Sequence, residues 1–295
     1  MNVVYFSKGA RGRVCLAALT RTAHRVVAVV ATDPEADLTA LCRDYGIQLL
    51  VERNPNTESF AGQLRALRAD VFVCSGYSKI LKPIVFSIPP KGTINLHGGR
   101  LPQYRGAAPI NWQIINGERV GGCCVLYVDE GIDTAPILRQ ELYDISSDDT
   151  HQTVLDRTLE IFPRILVDVL DDIERGSAAA RPQSREEGCY FSRRYPDDSR
   201  IAWAGQTDEE VHNLVRGMWG PYPHAFTTLR GEKLDVERTS ILAETIRGIP
   251  GRVALKRDDG VVVICRNRGV LVREVRRDGA VLPARDVLRT GDTVS

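Results

Sequence analysis

Long apolar runs are missing from this 295-residue chain: none approaches the ~20 residues that cross a bilayer. The start runs straight into an apolar strand, without the basic and apolar regions of a signal peptide, so the expected location is the cytoplasm. Charge of one sign is missing too. The net charge is +1, so no global field recruits polyanions, and a grip on many nucleic-acid phosphates is not expected. Cysteine occurs seven times but never as C-x-x-C, which excludes the common zinc spacings and leaves buried free thiols in a reducing compartment as the expectation. No metal and no membrane partner is expected. No G-x-S-x-G nucleophile signature occurs, and no internal repeat or low-complexity tract stands out. What is present, 43% hydrophobic and 26% charged residues, describes an ordinary soluble globule long enough for a large domain and a small one.

Along the chain, NVVYFS from Asn2 reads as a buried strand by its β-branched and aromatic run. VCLAAL follows as a helix, VVAVVAT as a strand, ADLTALCRDYG as a helix and QLLVE as a short strand. ESFAGQLRALR, ADVFVCSG and then TINLHGG continue the alternation. This order predicts an α/β fold, a Rossmann-like doubly wound, mostly parallel sheet. Such sheets bind ligands beyond the carboxyl ends of their strands. Asp148, Asp149 and Thr150 cap a long amphipathic helix that stops at Gly176, with Pro163 inside it expected to kink or split it. SAAARPQSREEG then has the composition of a linker. Thr207 and Glu210 form a capping box, and short alternating runs with Asp258-Asp259-Gly260 turns predict a small C-terminal β-barrel. The expected division is residues 1–176, a linker over 177–204, and a second domain over 205–295.

Two stretches carry candidate chemistry. The first is the Gly-rich turn Ser7–Gly12 between a strand and a helix start, where Lys8 and Gly9 are candidates to hold a phosphate-bearing substrate. A plain tight turn fits as well. A nicotinamide-dependent oxidoreductase is the rival reading, with Asp33 where a ribose-binding acid would fall, but Gly9-x-x-Gly12 lacks the G-x-G-x-x-G spacing. The second stretch runs from Thr93 to Asp133. A strand's period of two points Asn95 and His97 out of one face. Gly98, Gly99 and Gly106 leave bare backbone nearby, and a Gly-led turn presents Asp133. Amide, imidazole and carboxylate make a kit for acyl transfer.

NLHGGRLPQYRGAAPINW followed by GIDTAPIL resembles the signature of the folate-dependent formyltransferases, whose usual pattern is N-x-H-x-S-L-L-P and then a G-x-D-T-G type turn. Gly99 and Arg100 stand here where Ser and Leu are usual, and Ala135 replaces the last Gly. The resemblance implies transfer of a formyl group from 10-formyltetrahydrofolate to a primary amine, with Asn95, His97 and Asp133 catalytic. It implies that Lys79, Ile80 and Leu81 line one wall of the folate site, and Val128, Asp129, Glu130 and Gly131 the other. CYFSRRYPDDSRIAW and HNLVRGMWGPYPHAF look like the linker and OB-like second domain of the branch acting on UDP-4-amino-4-deoxy-arabinose. Arg100, Tyr104, Arg105, Arg193 and Arg194 are the further substrate candidates. The tRNA-formylating relatives carry a basic, Gly-rich insertion after the second strand, where this chain has the short acidic ATDPEADLTALCRDYG. The expected acceptor is therefore a small-molecule amine, a nucleotide-linked amino sugar or an amino-acid-like amine, and not a nucleic acid. Methionyl-tRNA is the alternative acceptor, and a binding protein without activity is the alternative class. A homodimer is compatible with the sequence.

Overall fold

A strand covered on both faces must be apolar throughout, and Val3, Val4, Tyr5 and Phe6 have no exposed surface. They form β1 (Asn2–Ser7) at the centre of the sheet. The computed structural model describes residues 1–184, 186–220 and 223–295. From β1 the chain continues through α1 (Gly9–Leu19), β2 (Arg25–Ala31), α2 (Ala36–Asp44), β3 (Gln48–Val51), α3 (Glu58–Ala66), β4 (Val71–Ser75), α4 (Pro83–Phe86) and β5 (Thr93–His97). Then come β6 (Arg105–Gly106), α5 (Pro109–Ile115), β7 (Val120–Tyr127), β8 (Ile137–Asp144), α6 (His151–Arg175) and β9 (Tyr190–Phe191).

The seven-stranded sheet has the order β3-β2-β1-β4-β5-β7-β8. Pairs from β3 to β5 are parallel, and β7 runs antiparallel to β5. The order reverses beside β1, the arrangement of a doubly wound fold, as expected. His97 is the last residue of β5. It therefore stands at the carboxyl end, the end where such sheets bind ligands.

Pro163 neither splits nor ends α6, which continues from His151 to Arg175. The apolar stripe explains this: Val154, Phe162, Leu166, Val169, Leu170 and Ile173 are all buried, and packing of that face outweighs the lost hydrogen bond. Thr150 and Asp149 cap its start, through Thr153 N–H to Thr150 Oγ1 at 3.4 Å and Thr153 Oγ1–H to Asp149 Oδ1 at 2.7 Å.

After Phe191 the chain forms α7 (Asp208–Gly217), with the capping box of Thr207 and Glu210 in place. The strands β10 (Phe226–Leu229), β11 (Glu232–Ile241), β12 (Val253–Arg257), β13 (Gly260–Ile264), β14 (Gly269–Arg277) and β15 (Ala280–Pro283) and the short α8 (Ala284–Val287) complete it. The strands form an antiparallel sheet of order β10-β11-β14-β13-β12, with β15 on β14. Thr293 bridges Arg252 and Val294 bridges Leu229, so the C-terminal residues lie against both edges of that sheet. A core of Val211, Leu214, Val236, Val261, Val263 and Val272 fills it.

The chain divides into two compact units that are not consecutive blocks. One comprises Met1–Pro109, Gly122–Tyr143 and Asp156–Phe191; the other Ile110–Gly121, Asp144–Leu155 and Ser192–Ser295. Residues 177–191, which composition reads as linker, belong to the first. Arg181 exchanges two 2.8 Å backbone bonds with Ile137, and β9 pairs with β6. Small and Pro residues do not prevent such pairing where an edge is open. Of the seven cysteines, all free, only Cys189 is exposed.

Candidate active site

The end of β5 brings the three expected side chains together. Asn95 and His97 leave the same face of the strand, and the turn after β7 returns Asp133 between them. Its Oδ1 accepts from Asn95 Nδ2 at 3.4 Å, and its Oδ2 lies 3.3 Å from His97 Nδ1. Asp133 adopts φ +54°, a conformation that Asp tolerates better than most residues. Two hydrogen bonds hold it there: Gly106 N–H donates to Oδ2 at 3.0 Å, and Gln183 Nε2 donates to the Asp133 carbonyl at 2.9 Å.

His97 is 5% exposed. Its Nε2 lies 2.6 Å from the Tyr104 carbonyl. A carbonyl can only accept, so Nε2 carries a proton, and Nδ1 donates to Asp133 in the imidazolium form. Gly99 makes this possible, because a Cβ there would lie 2.8 Å from Nε2 and 2.6 Å from the Tyr104 oxygen. Cys124 Sγ donates to Gly99 O at 3.2 Å. Burial pushes the Cys124 thiol up to about 12, so at neutral pH it supplies no thiolate nucleophile.

The remaining candidates are placed unevenly. Asp129, Glu130 and Gly131 line a pocket of about 600 Å³ together with Thr134, Arg105 and Tyr190. Asp129 Oδ1 shapes that wall by accepting from Gly131 N–H at 3.0 Å and Thr134 Oγ1 at 2.7 Å. Val128 is bonded through its N–H to Thr93 O at 2.8 Å. Of the loop after β4, Lys79 is exposed, Leu81 turns into the core, and Ile80 is 69% exposed. Asn56 clamps this loop, donating to Ile80 O at 2.9 Å and accepting from Lys82 N–H at 2.7 Å.

Several expectations need correction. The Ser7–Gly12 segment is no phosphate loop: α1 begins at Gly9, and the Gly9 N–H already donates to the Glu35 carboxylate at 3.0 and 3.3 Å. An internal anion holds the helix N-terminus, so Gly9 has no donor to spare, and Lys8 lies exposed beside it. Arg105 is not a surface clamp. It is 1% exposed and donates to Gln183 Oε1 at 3.2 and 3.0 Å and to Ser184 O at 2.9 Å. The Tyr104 ring is buried and stacked on Phe191 at 4.8 Å, so only its carbonyl serves the site. Arg100 is half-buried. Arg194 lies over the Trp112 ring at 4.7 Å and Arg193 is exposed; both belong to the second unit.

Three residues of the site escaped sequence reasoning. Gln183 sat in a stretch of linker composition. Arg11, on the first turns of α1, donates through Nη1 to Leu96 O at 2.7 Å beside the end of β5. Asn56 carries no motif at all. None gives a local signal, since each acts on a loop distant in sequence.

Residues 1–170 match the Formyl transferase family and residues 194–291 match Formyl transferase, C-terminal domain. The chain belongs to the formyltransferase family. It is a formyl-transferring enzyme. It is 38% identical over 235 residues to a methionyl-tRNA formyltransferase of Acetivibrio thermocellus, covering 79% of this chain and 75% of the relative. Among solved structures, HypX from Aquifex aeolicus in complex with tetrahydrofolic acid superposes with a TM-score of 0.67 at 20% identity. That match covers 97% of this chain but only 46% of HypX, so the chain spans about half the length of that neighbour. An N-formyltransferase from Helicobacter canadensis, in complex with folinic acid and dTDP-3-aminofucose, superposes at 0.69 with 16% identity, over 92% of this chain and 98% of that one. At these identities the two structures show the shared fold. Among the described residues no helix is long and apolar enough to cross a membrane.

Proposed function

We propose that this enzyme transfers the formyl group of 10-formyltetrahydrofolate to the α-amine of methionyl-tRNA, with Asn95, His97 and Asp133 doing the chemistry. The observation that carries the reaction class is the meeting of amide, imidazole and carboxylate within 3.4 Å at the carboxyl end of β5. The pocket of about 600 Å³ lined by Arg105, Asp129–Gly131, Thr134 and Tyr190 falls in the size range of small-molecule sites, and the Tyr190 ring offers a face for a flat heterocycle. When bound, the folate supplies a formyl carbon open to attack by a neutral amine. Asn95 Nδ2 and, in the imidazolium form, His97 Nδ1–H face Asp133 in the free enzyme; they are the donors that turn to the formyl oxygen as negative charge grows there, and such stabilisation usually contributes most to the rate of acyl transfer. Asp133 accepts the proton that the amine gives up as the new C–N bond forms, directly or through one water, and that proton passes to the folate N10 as the tetrahedral intermediate collapses and the C–N10 bond breaks. No covalent enzyme intermediate is needed.

The acceptor rests on the identity to methionyl-tRNA formyltransferase, which exceeds that to any amino-sugar enzyme above. A nucleotide-linked amino sugar is the second reading. It is favoured by the acidic stretch after β2, where Glu35 and Asp37 pair with Arg13 at 3.7 and 3.6 Å and so offer little to tRNA phosphates. Purified enzyme with 10-formyltetrahydrofolate is to be assayed on methionyl-tRNA and on dTDP- and UDP-linked amino sugars. Formylation of the tRNA is expected; exclusive formylation of a sugar replaces the first reading by the second. Asn95→Ala, His97→Ala and Asp133→Asn are each expected to lower turnover by about 10²- to 10³-fold while folate binding survives. Wild-type rates in all three would remove the chemistry from these residues.

A further inference from the structure

We propose that Gln183 is a positioning residue for catalysis, which sets the Asp133 carboxylate against His97 from the strap of chain that carries Gln183, Ser184 and Gly188–Phe191. The inference rests on the formyl-transfer reading above for its role, though not for its geometry.

The Asp133 turn needs an outside hold, because its backbone is in the left-handed region at φ +54°. Gln183 Nε2 supplies it, donating to Asp133 O at 2.9 Å and to Ala135 O at 2.6 Å. The other end of the same amide accepts two bonds from Arg105, at 3.2 and 3.0 Å. Arg105 can only donate and the two carbonyls can only accept, so the amide has one permitted orientation. Arg105 in turn is locked. Among the described residues no carboxylate pairs with it, and its guanidinium lies against the bare Cα of Gly188, where an added Cβ would sit 2.0 Å from Nη1. Its backbone N–H donates to Cys189 O at 2.9 Å, beside the β6–β9 pairing.

The strap therefore connects two loops that are far apart in sequence. Arg105 follows Tyr104, whose carbonyl holds His97 Nε2 at 2.6 Å. Asp133 faces His97 Nδ1 at 3.3 Å. Gln183 joins the Arg105 loop to the backbone of the Asp133 turn, and together with the direct Gly106 N–H bond to Asp133 Oδ2 at 3.0 Å it registers both partners of the imidazole to each other. Small misplacements of a catalytic group are costly in rate.

Gln183→Glu is the sharpest probe. It keeps an acceptor for Arg105 and turns the donor into an oxygen that faces two carbonyls. Gln183→Met removes both functions at similar size without adding charge. Turnover of 10-formyltetrahydrofolate is measured with methionyl-tRNA and with a dTDP-linked 3-amino sugar, alongside thermal unfolding. The ¹⁵N and ring-proton NMR signals of His97 are assigned by their loss in His97→Ala. Both variants are expected to lose about 10- to 100-fold in kcat with KM for the folate unchanged. Their His97 Nδ1 signals are expected to move toward those of Asp133→Asn. Wild-type kcat and unmoved His97 signals in the Gln183→Glu protein would overturn the proposal. If wild-type enzyme formylates neither acceptor, the formyl-acceptor reading fails, and the His97 signals alone decide whether Gln183 sets the Asp133–His97 contact.

Discussion

Two strands of one sheet, β1 and β5, end in glycine-rich turns at the same edge of the fold, and of these two only the β5 end gathers an amide, an imidazole and a carboxylate. At the end of β1 the donors are spent internally, because Gly9 N–H points at the Glu35 carboxylate. Gly12 is bare for packing: a Cβ there would lie 2.2 Å from Ser7 Oγ and 3.2 Å from the Ser75 carbonyl. At the end of β5 the glycine makes room for a functional group. Gly99 lets His97 reach the Tyr104 carbonyl, and Asp133 comes in from another loop to meet the ring. A glycine-rich turn after a strand thus says that backbone passes close to something. Whether that something is a ligand, a neighbouring strand or an internal carboxylate depends on residues elsewhere in the chain.

Three substitutions break or sharpen this contrast. The largest effect is expected from Gly99→Ala. The added carbon must displace the imidazole, the Tyr104 carbonyl or Pro109 Cβ, so turnover falls by about 10²-fold and overpacking also costs about 1–3 kcal/mol of stability. A Gly99→Ala enzyme of wild-type rate would make Gly99 as purely structural as Gly12. Gly12→Ala is expected to cost stability without costing turnover. Overpacking against Ser7 and Ser75 costs about 1–3 kcal/mol of stability, read from urea unfolding, and kcat per folded molecule is kept. The smallest effect belongs to Glu35→Gln, which removes the charge at the α1 N-terminus and costs about 0.3–1 kcal/mol at low salt. Turnover is expected to be unchanged; a loss of folate or acceptor binding in this variant would return the β1 turn to the active site.

The contrast also explains what could be read in advance. The β-branched and aromatic runs of β1, β2 and β4 are buried on both faces, and runs of that kind declare themselves in any window. Asn95 and His97 were legible because a strand's period of two fixes their common face without any tertiary information. The Asp149 and Thr150 cap before α6 and the capping box of α7 are legible for the same local reason. Arg105 was misread: an arginine in a Gly- and Pro-rich loop normally faces water, and nothing nearby in sequence announces Gln183 or the bare Gly188. The segment 177–191 was misread likewise, since small residues and prolines describe both a solvated linker and a strap that bonds at a sheet edge.

Sequence by itself determined the alternation of strands and helices, the shared face of Asn95 and His97, and the presence of a carboxylate turn after β7, because each follows from periodicities a few residues long. Only the tertiary structure decided that Glu35 closes one strand end, that Asp133 enters the other, and that Arg105 and Gln183 hold it there. Those partners are 26, 36 to 38 and 78 residues apart along the chain, and their meeting depends on the order in which the sheet places its strands rather than on any neighbouring residue.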